Sequence, residues 1–338
     1  MDIRNTRQLK EFAAKRLENA REGQKIVLIY TAIALAVTAL VTIVNYCLGL
    51  RIDRTSGLGS MGTRSMLSTV QTLLPITQSL FLMCLELGYL SAMLRVARGQ
   101  YASPNGLRLG FDRFWVLLRC KLLQGLIYFG IGIASVYAAT MVYVFSPLSA
   151  SAMELLTPMI SAAAASGETA ITLDDAAYVQ LMSAMTPALI LCAVVFLAAA
   201  APFFYRYRMA DYILIDRPGT GALAALRESR YMMRGHRAQL LRLDLSLWWF
   251  YAAMLLTTVV CYGDLLLPAL GVFLPISDTA AYFVFFAVYL AVTFAVYYFL
   301  RNRVEVTYAL AYDSLVPRQS ANSGGVVLGN IFDLARQQ

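Results

Sequence analysis

Charged side chains are scarce in this sequence. They make up 14% of its 338 residues, and hydrophobic side chains make up 59%. Soluble domains carry about 25% charged residues. This composition predicts a membrane protein. Its length then indicates how many times it crosses the bilayer, because each crossing takes about 20 apolar residues.

The residues that build metal sites and disulfide frameworks are also few. The chain has one histidine, His236, and five cysteines, which lie one to a hydrophobic segment without a C-x-x-C pair. No nucleophile, Walker A or zinc-protease motif stands in a suitable context. We therefore expect no metal, no cofactor and no enzymatic activity.

Long hydrophobic segments fill most of the sequence. They predict an all-α polytopic membrane protein with about six transmembrane helices, arranged as three hairpins with cytoplasmic interfacial amphipathic helices. The predicted spans are 26–48, 69–94, 116–144, 184–204, 243–262 and 280–300. Residues 1–25 form an amphipathic leader helix, 26–316 the membrane domain and 317–338 a cytoplasmic tail.

Basic residues indicate the orientation. If the chain crosses six times, all but three of its 28 Lys and Arg residues lie on the side that holds both termini, and the exceptions are Arg51, Arg54 and Arg64. Positive charge marks the cytoplasmic side. We expect a multi-pass protein of the cytoplasmic membrane with both termini in the cytoplasm.

A motif in the second half of the chain resembles a known family. It runs from Ala222 through Arg227-Glu228-Ser229 and Met233-Arg234-Gly235 to Trp249. This pattern, with the leader and the segments 87–99 and 209–216, is similar to a bacterial integral membrane family catalogued as domain of unknown function 975. The sequence departs from that family's usual apolar or proline residue at Asp211. The resemblance implies an integral membrane protein and no particular reaction.

The segment 222–235 of this motif has the pattern of an amphipathic helix at the cytoplasmic interface. Its arginines and the next one along are candidate contacts for lipid head groups: Arg227, Arg230, Arg234 and Arg237. The expected partners are membrane lipids, anionic ones above all, with a membrane protein as a further candidate and no nucleic acid. The alternative is that this helix only packs against the ends of the spans.

Glu86 is the first candidate for an intramembrane polar site. It lies nine residues before the basic flank at Arg95, which at 1.5 Å per residue is about 13 Å inside the boundary. A carboxylate there needs a partner or a proton. Lys121 is at a comparable depth, so we expect a Glu86–Lys121 pair.

Two further polar residues complete the candidate site. Gln124 lies within the third span, and Asp244 lies at the entry to the fifth. We expect Asp244 to pair with an arginine such as Arg206 or Arg208.

Two functions follow from these features. The first is a non-enzymatic membrane protein that interacts with lipid, or serves as a scaffold or accessory subunit. The alternative is a small permease or channel that uses a polar cavity around Glu86.

Overall fold

The structure, a computed structural model, describes residues 5–54, 61–150, 175–263 and 277–316, with residues 153, 154, 157 and 161 between them. The expected tail at 317–338 lies outside the described residues. The described chain is helical and has no strand within it. Its helices are α1 Thr6–Asn19, α2 Arg21–Arg54, α3 Met61–Ala97, α4 Leu109–Asp112, α5 Phe114–Val144, α6 Asp175–Tyr207, α7 Ala210–Asp216, α8 Ala222–Met232, α9 Arg237–Ser246, α10 Trp248–Cys261, α11 Asp278–Val296 and α12 Asn302–Leu315.

Five helical stretches are long and apolar enough to span a membrane. They are Glu22–Ile52, Gly62–Ala97, Phe114–Val144, Ser183–Asp216 and Thr279–Leu315. A sixth is formed if α9 and α10 are counted together. The all-helical class and the number of span-length helices agree with the prediction from sequence.

The fifth predicted span differs from the structure. Residues 243–262 were expected to form one helix, but α9 and α10 meet at an angle of 65°. The break lies at Leu247, whose N–H donates to the carbonyl oxygen of Asp244 at 2.9 Å and ends α9. Window-averaged hydropathy could not predict this break, because it carries no information on the direction of the backbone.

The last predicted span also continues beyond its expected end. The chain stays helical past residue 300, through a π-helical turn at Tyr297–Arg301 and into α12. The π turn carries one extra residue per turn and so changes the direction of the side chains that follow it. As a result Arg301, expected at the basic flank, is a buried residue.

Most of the buried side chains gather at one end of the long helices. We call this end the basal core; it comprises α1, α7, α8, α9 and α12 with the adjoining ends of α2, α3 and α5 and the segment between α3 and α5. The leader helix α1 belongs to it, because α1 packs on α12 and buries Leu9, Ala13 and Leu17. Tyr89 and Tyr312 are among its largest fully buried side chains.

Away from the basal core, the long helices expose apolar side chains. The most extensive contacts there join neighbours in the chain: α2 with α3, α5 with α6, and α10 with α11. None of the most hydrophobic 18-residue window of α6 is buried by the rest of the molecule. A water-soluble monomer does not leave so large an apolar surface uncovered.

Two glycines permit the closest backbone contacts in the basal core. A Cβ added at Gly88 of α3 would overlap the main chain of Leu107, and one at Gly110 of α4 would overlap the main chain of Cys84. The short segment between α3 and α5 is thereby held against α3 with no side chain between them. A side chain at either glycine would force the backbones apart.

We therefore expect Gly88→Ala to destabilise the protein by about 1–3 kcal/mol or more, because the new methyl group meets backbone that cannot rotate away. Thermal unfolding of the purified protein in one detergent measures the change. Gly125→Ala in α5 is the matched control, since a Cβ there meets nothing within 4 Å. Equal melting temperatures for the two variants would contradict the claim that the close backbone contact at Gly88 excludes a side chain.

Candidate functional site

A cavity of about 480 Å³ lies among the long helices, next to the basal core. Its wall is built by α2, α3, α10 and α11, with residues of the π turn and α12 at one end. Glu86, Arg301 and Glu305 form that charged end, and Leu82 and Met254 belong to the apolar wall. This volume is within the range of small-molecule sites in proteins.

Arg301 is the centre of the charged end. One terminal nitrogen donates to the hydroxyl of Tyr30 at 3.0 Å, and the other donates to Glu86 Oε1 at 2.7 Å. Its Nε lies 3.6 Å from Glu305 Oε1. The guanidinium also lies over the rings of Tyr30 and Tyr297, at 5.0 and 4.6 Å from their centroids. A buried guanidinium needs this many partners to offset its lost hydration.

Tyrosines behind Arg301 connect it to the basal core. The rings of Tyr30 and Tyr89 stack with centroids 4.5 Å apart, and the Tyr89 hydroxyl donates to Asn302 Oδ1 at 3.0 Å. Arg301 lies 5.3 Å from the Tyr89 centroid. The position of the guanidinium is therefore determined jointly by α2, α3 and the start of α12.

The structure corrects the expected Glu86–Lys121 pair. Glu86 bonds Arg301, while Lys121 Nζ donates to Asp211 Oδ2 at 2.7 Å. Depth along the helices was a sound guide to the need for partners, but it could not identify them. Asp211 lies on α7 and Arg301 on the π turn, and neither segment is next to α3 or α5 in sequence.

Gln124 takes no part in the cavity. It is not among the residues that line it, and its amide nitrogen lies 3.9 Å from Cys120 Sγ. The structure thus separates the four expected members of one polar site. Only Glu86 faces the cavity, while Lys121 and Asp244 belong to two other charged clusters.

Asp244 forms a cluster of its own at the bend between α9 and α10. Its carboxylate accepts hydrogen bonds from Arg208, from Tyr205 at 2.8 Å and from Tyr308 at 2.6 Å. The expected pairing with Arg206 or Arg208 is met by Arg208, whose guanidinium also lies 4.1 Å from the Tyr308 ring centroid. The Tyr251 hydroxyl lies 2.8 Å from that of Tyr308 and links α10 to the cluster.

A fourth charged cluster lies at the far end of the basal core. Arg98 bonds Asp216 at 2.6 Å and Asp313 at 2.8 Å, and the Tyr312 hydroxyl donates to Asp216 at 3.1 Å. Partial burial favours the neutral form of Arg98, but the two carboxylates prevail and raise the pKa of its guanidinium above the ordinary value. This cluster joins α3, α7 and α12.

The expected lipid contacts lie on the surface. Arg227, Arg230 and Arg234 are exposed, and Arg237 is partly buried. Sequence reasoning missed Arg301, Glu305 and Tyr30 as members of the cavity. The available signal was the spacing of Arg301 and Glu305, which are four residues apart and so share one helical face.

Removing the positive charge of the cavity should destabilise the fold. We expect Arg301→Gln to lower the free energy of unfolding by about 3–5 kcal/mol, because two carboxylates would lose their buried counter-ion. Denaturant unfolding in a fixed detergent measures this change. Glu86→Gln should cost less, since its side chain is 51% exposed and that of Arg301 only 9%.

Arg303→Gln is the matched control, because Arg303 is exposed two residues further along. It should change stability by no more than about 0.5 kcal/mol. Equal free energies of unfolding for Arg301→Gln and Arg303→Gln would show that the buried cluster does not stabilise the fold.

Comparison with known proteins gives one positive result. No curated protein and no solved structure matches the chain. The family model described as protein of unknown function (DUF975) matches residues 1–303, which include the cavity residues Glu86 and Arg301. With most of its length matched by that model, the chain belongs to the DUF975 family.

Proposed function

We propose that this chain is a non-enzymatic, multi-pass protein of the bacterial cytoplasmic membrane that binds anionic lipid at its cytoplasmic face. In this proposal both termini are cytoplasmic, the basal core lies on the cytoplasmic side, and the long helices form three hairpins in the bilayer. Through this contact the protein acts as a scaffold or accessory subunit. The distribution of Lys and Arg along the sequence supports the orientation.

The observation that carries the proposal is the exposed face of α8. Arg227 and Arg230 lie on this face, Arg234 follows in the turn after the helix, and Leu223 and Tyr231 beside them are 66% and 71% exposed. Cationic side chains flanked by exposed apolar ones are typical of a helix that lies at a lipid head-group layer. No carboxylate of the described residues pairs with these three arginines.

The opposite face of α8 explains why its arginines stay on the surface. Ala222, Ala225, Leu226 and Ser229 are buried, and the Ser229 hydroxyl donates to the carbonyl oxygen of Arg206 at 3.0 Å. The helix thus packs against the protein through one face, and its other face is exposed. Because the helix backbone is already ordered, these arginines can meet lipid phosphates without the cost of forming the helix.

A membrane protein is the second partner in this proposal. The outer surface of α6 supports it, because the most apolar part of that helix is uncovered by the rest of the molecule. Lipid or another protein's helix must cover it in the bilayer.

The cavity around Glu86 supports the alternative, a small permease or channel. A pathway must reach both sides of the membrane, however, and the buried Tyr89 and Asn302 lie behind Arg301 on the basal side. That closure favours the lipid-binding proposal. In proteoliposomes we expect the wild type and Glu86→Gln to show the same proton leak, and a faster leak that needs Glu86 would favour the permease.

Replacing all three exposed arginines of α8 by glutamine should reduce bound anionic lipid. We expect at least a severalfold loss of phosphatidylglycerol from the purified protein, because each arginine near an anionic surface contributes about 1 kcal/mol. Quantitative mass spectrometry of lipids that remain after mild detergent purification measures the loss.

The triple lysine variant at the same positions is the matched control. It keeps the positive charge and should retain most of the lipid. Undiminished phosphatidylglycerol on the glutamine variant would refute the role assigned to α8.

A further inference from the structure

The charged end of the cavity holds two carboxyl groups, those of Glu86 and Glu305, and one guanidinium, that of Arg301. The neighbouring cations are engaged elsewhere, because Lys121 bonds Asp211 and Arg208 bonds Asp244. Glu305 is the more buried of the two carboxyl groups and Glu86 the more exposed. An ionised Glu86 that shares Arg301 with a second carboxyl group attracts a positively charged occupant.

Glu86 is the group that can receive this occupant. Its side chain is 51% exposed and lines the cavity, whereas Arg301 and Glu305 are 9% and 16% exposed. Only one of its oxygens, Oε1, bonds Arg301. The other carboxylate oxygen is therefore available to a ligand.

The same contacts disfavour an anionic ligand. All three nitrogens of the Arg301 guanidinium already face a partner: the Tyr30 hydroxyl, Glu86 and Glu305. A phosphate or carboxylate would meet the negative charge of Glu86. Recognition of an anion at this end is thus disfavoured by charge.

The remaining wall identifies the kind of cation. Tyr30, Phe250, Tyr289 and Tyr297 line the cavity, and alkyl side chains such as Met254 lie between them. Aromatic rings attract cations and tolerate a bulky apolar body. An inorganic cation such as Ca²⁺ needs six to eight oxygen ligands. Among the described residues no group of three or more metal-binding side chains occurs.

We propose that this cavity binds a lipophilic organic cation, with its charged centre at Glu86 and its apolar body against Phe250 and Met254. The site differs from the lipid surface of α8 in its residues, depth and sign of charge. It does not depend on the lipid-binding proposal, and either can fail without the other.

The probe is tetraphenylphosphonium, a monovalent cation surrounded by aromatic rings. Its binding to the full chain in a neutral detergent is measured by equilibrium dialysis against protein-free micelles. Tetraphenylborate has the same shape and the opposite charge, so it controls for partition into apolar surface. We expect saturable binding of the cation and none of the anion.

Three variants locate the binding. Glu86→Gln should weaken tetraphenylphosphonium binding at least tenfold, since a charge contact at an effective dielectric of about 20 exceeds the 1.4 kcal/mol that a tenfold change represents. Glu86→Asp keeps the charge and should bind more tightly than Glu86→Gln. Glu228→Gln removes a carboxylate that pairs with Arg217 and does not line the cavity, so it should leave the affinity unchanged.

Met254→Trp tests the apolar end without changing any charge. The larger side chain fills the cavity and should also weaken tetraphenylphosphonium binding at least tenfold. This variant tests the proposal even if Glu86→Gln does not fold. Lack of saturable binding, equal binding of tetraphenylborate, or unchanged affinity in Met254→Trp would overturn the proposal.

Discussion

The burial of one guanidinium, that of Arg301, is the constraint on which the arrangement of the long helices depends. Its partners come from three separate segments: Tyr30 from α2, Glu86 from α3 and Glu305 from α12. A buried arginine without partners would cost several kcal/mol. The three segments must therefore meet at one point, and the π turn at Tyr297–Arg301 directs the side chain toward it.

The same principle operates elsewhere around the basal core. Lys121 meets Asp211 where α5 approaches α7, and Arg208 meets Asp244 at the bend between α9 and α10. Apolar packing alone is non-directional and tolerates sliding of one helix along another. Paired charges fix the register, because a shift of one residue would leave a carboxylate without its cation. The apolar ends of the helices contact chiefly their neighbours in sequence.

Sequence was a good guide wherever the signal was local. Hydrophobic runs predicted the span-length helices, and the scarcity of charge near Glu86 predicted that this residue needs a partner. The choice of partner depends on contacts between segments far apart in the chain, so Lys121 was selected on depth and Arg301 was missed. The partner of Asp244 beside the break at Leu247 was equally hidden, because Arg208 lies 36 positions earlier in the chain.

The exposure of the charged partners separates structural pairs from a functional one. In the Arg208–Asp244 pair both side chains are nearly buried, at 16% and 10% exposed, as expected of groups that serve only to hold helices together. In the Arg301–Glu86 pair the arginine is 9% exposed and the glutamate 51%. A purely structural role does not require this asymmetry, since burying Glu86 would strengthen its bond to Arg301. The Glu86 side chain is instead half exposed and lines a cavity large enough for a small molecule, and this geometry is the reason for proposing a ligand there.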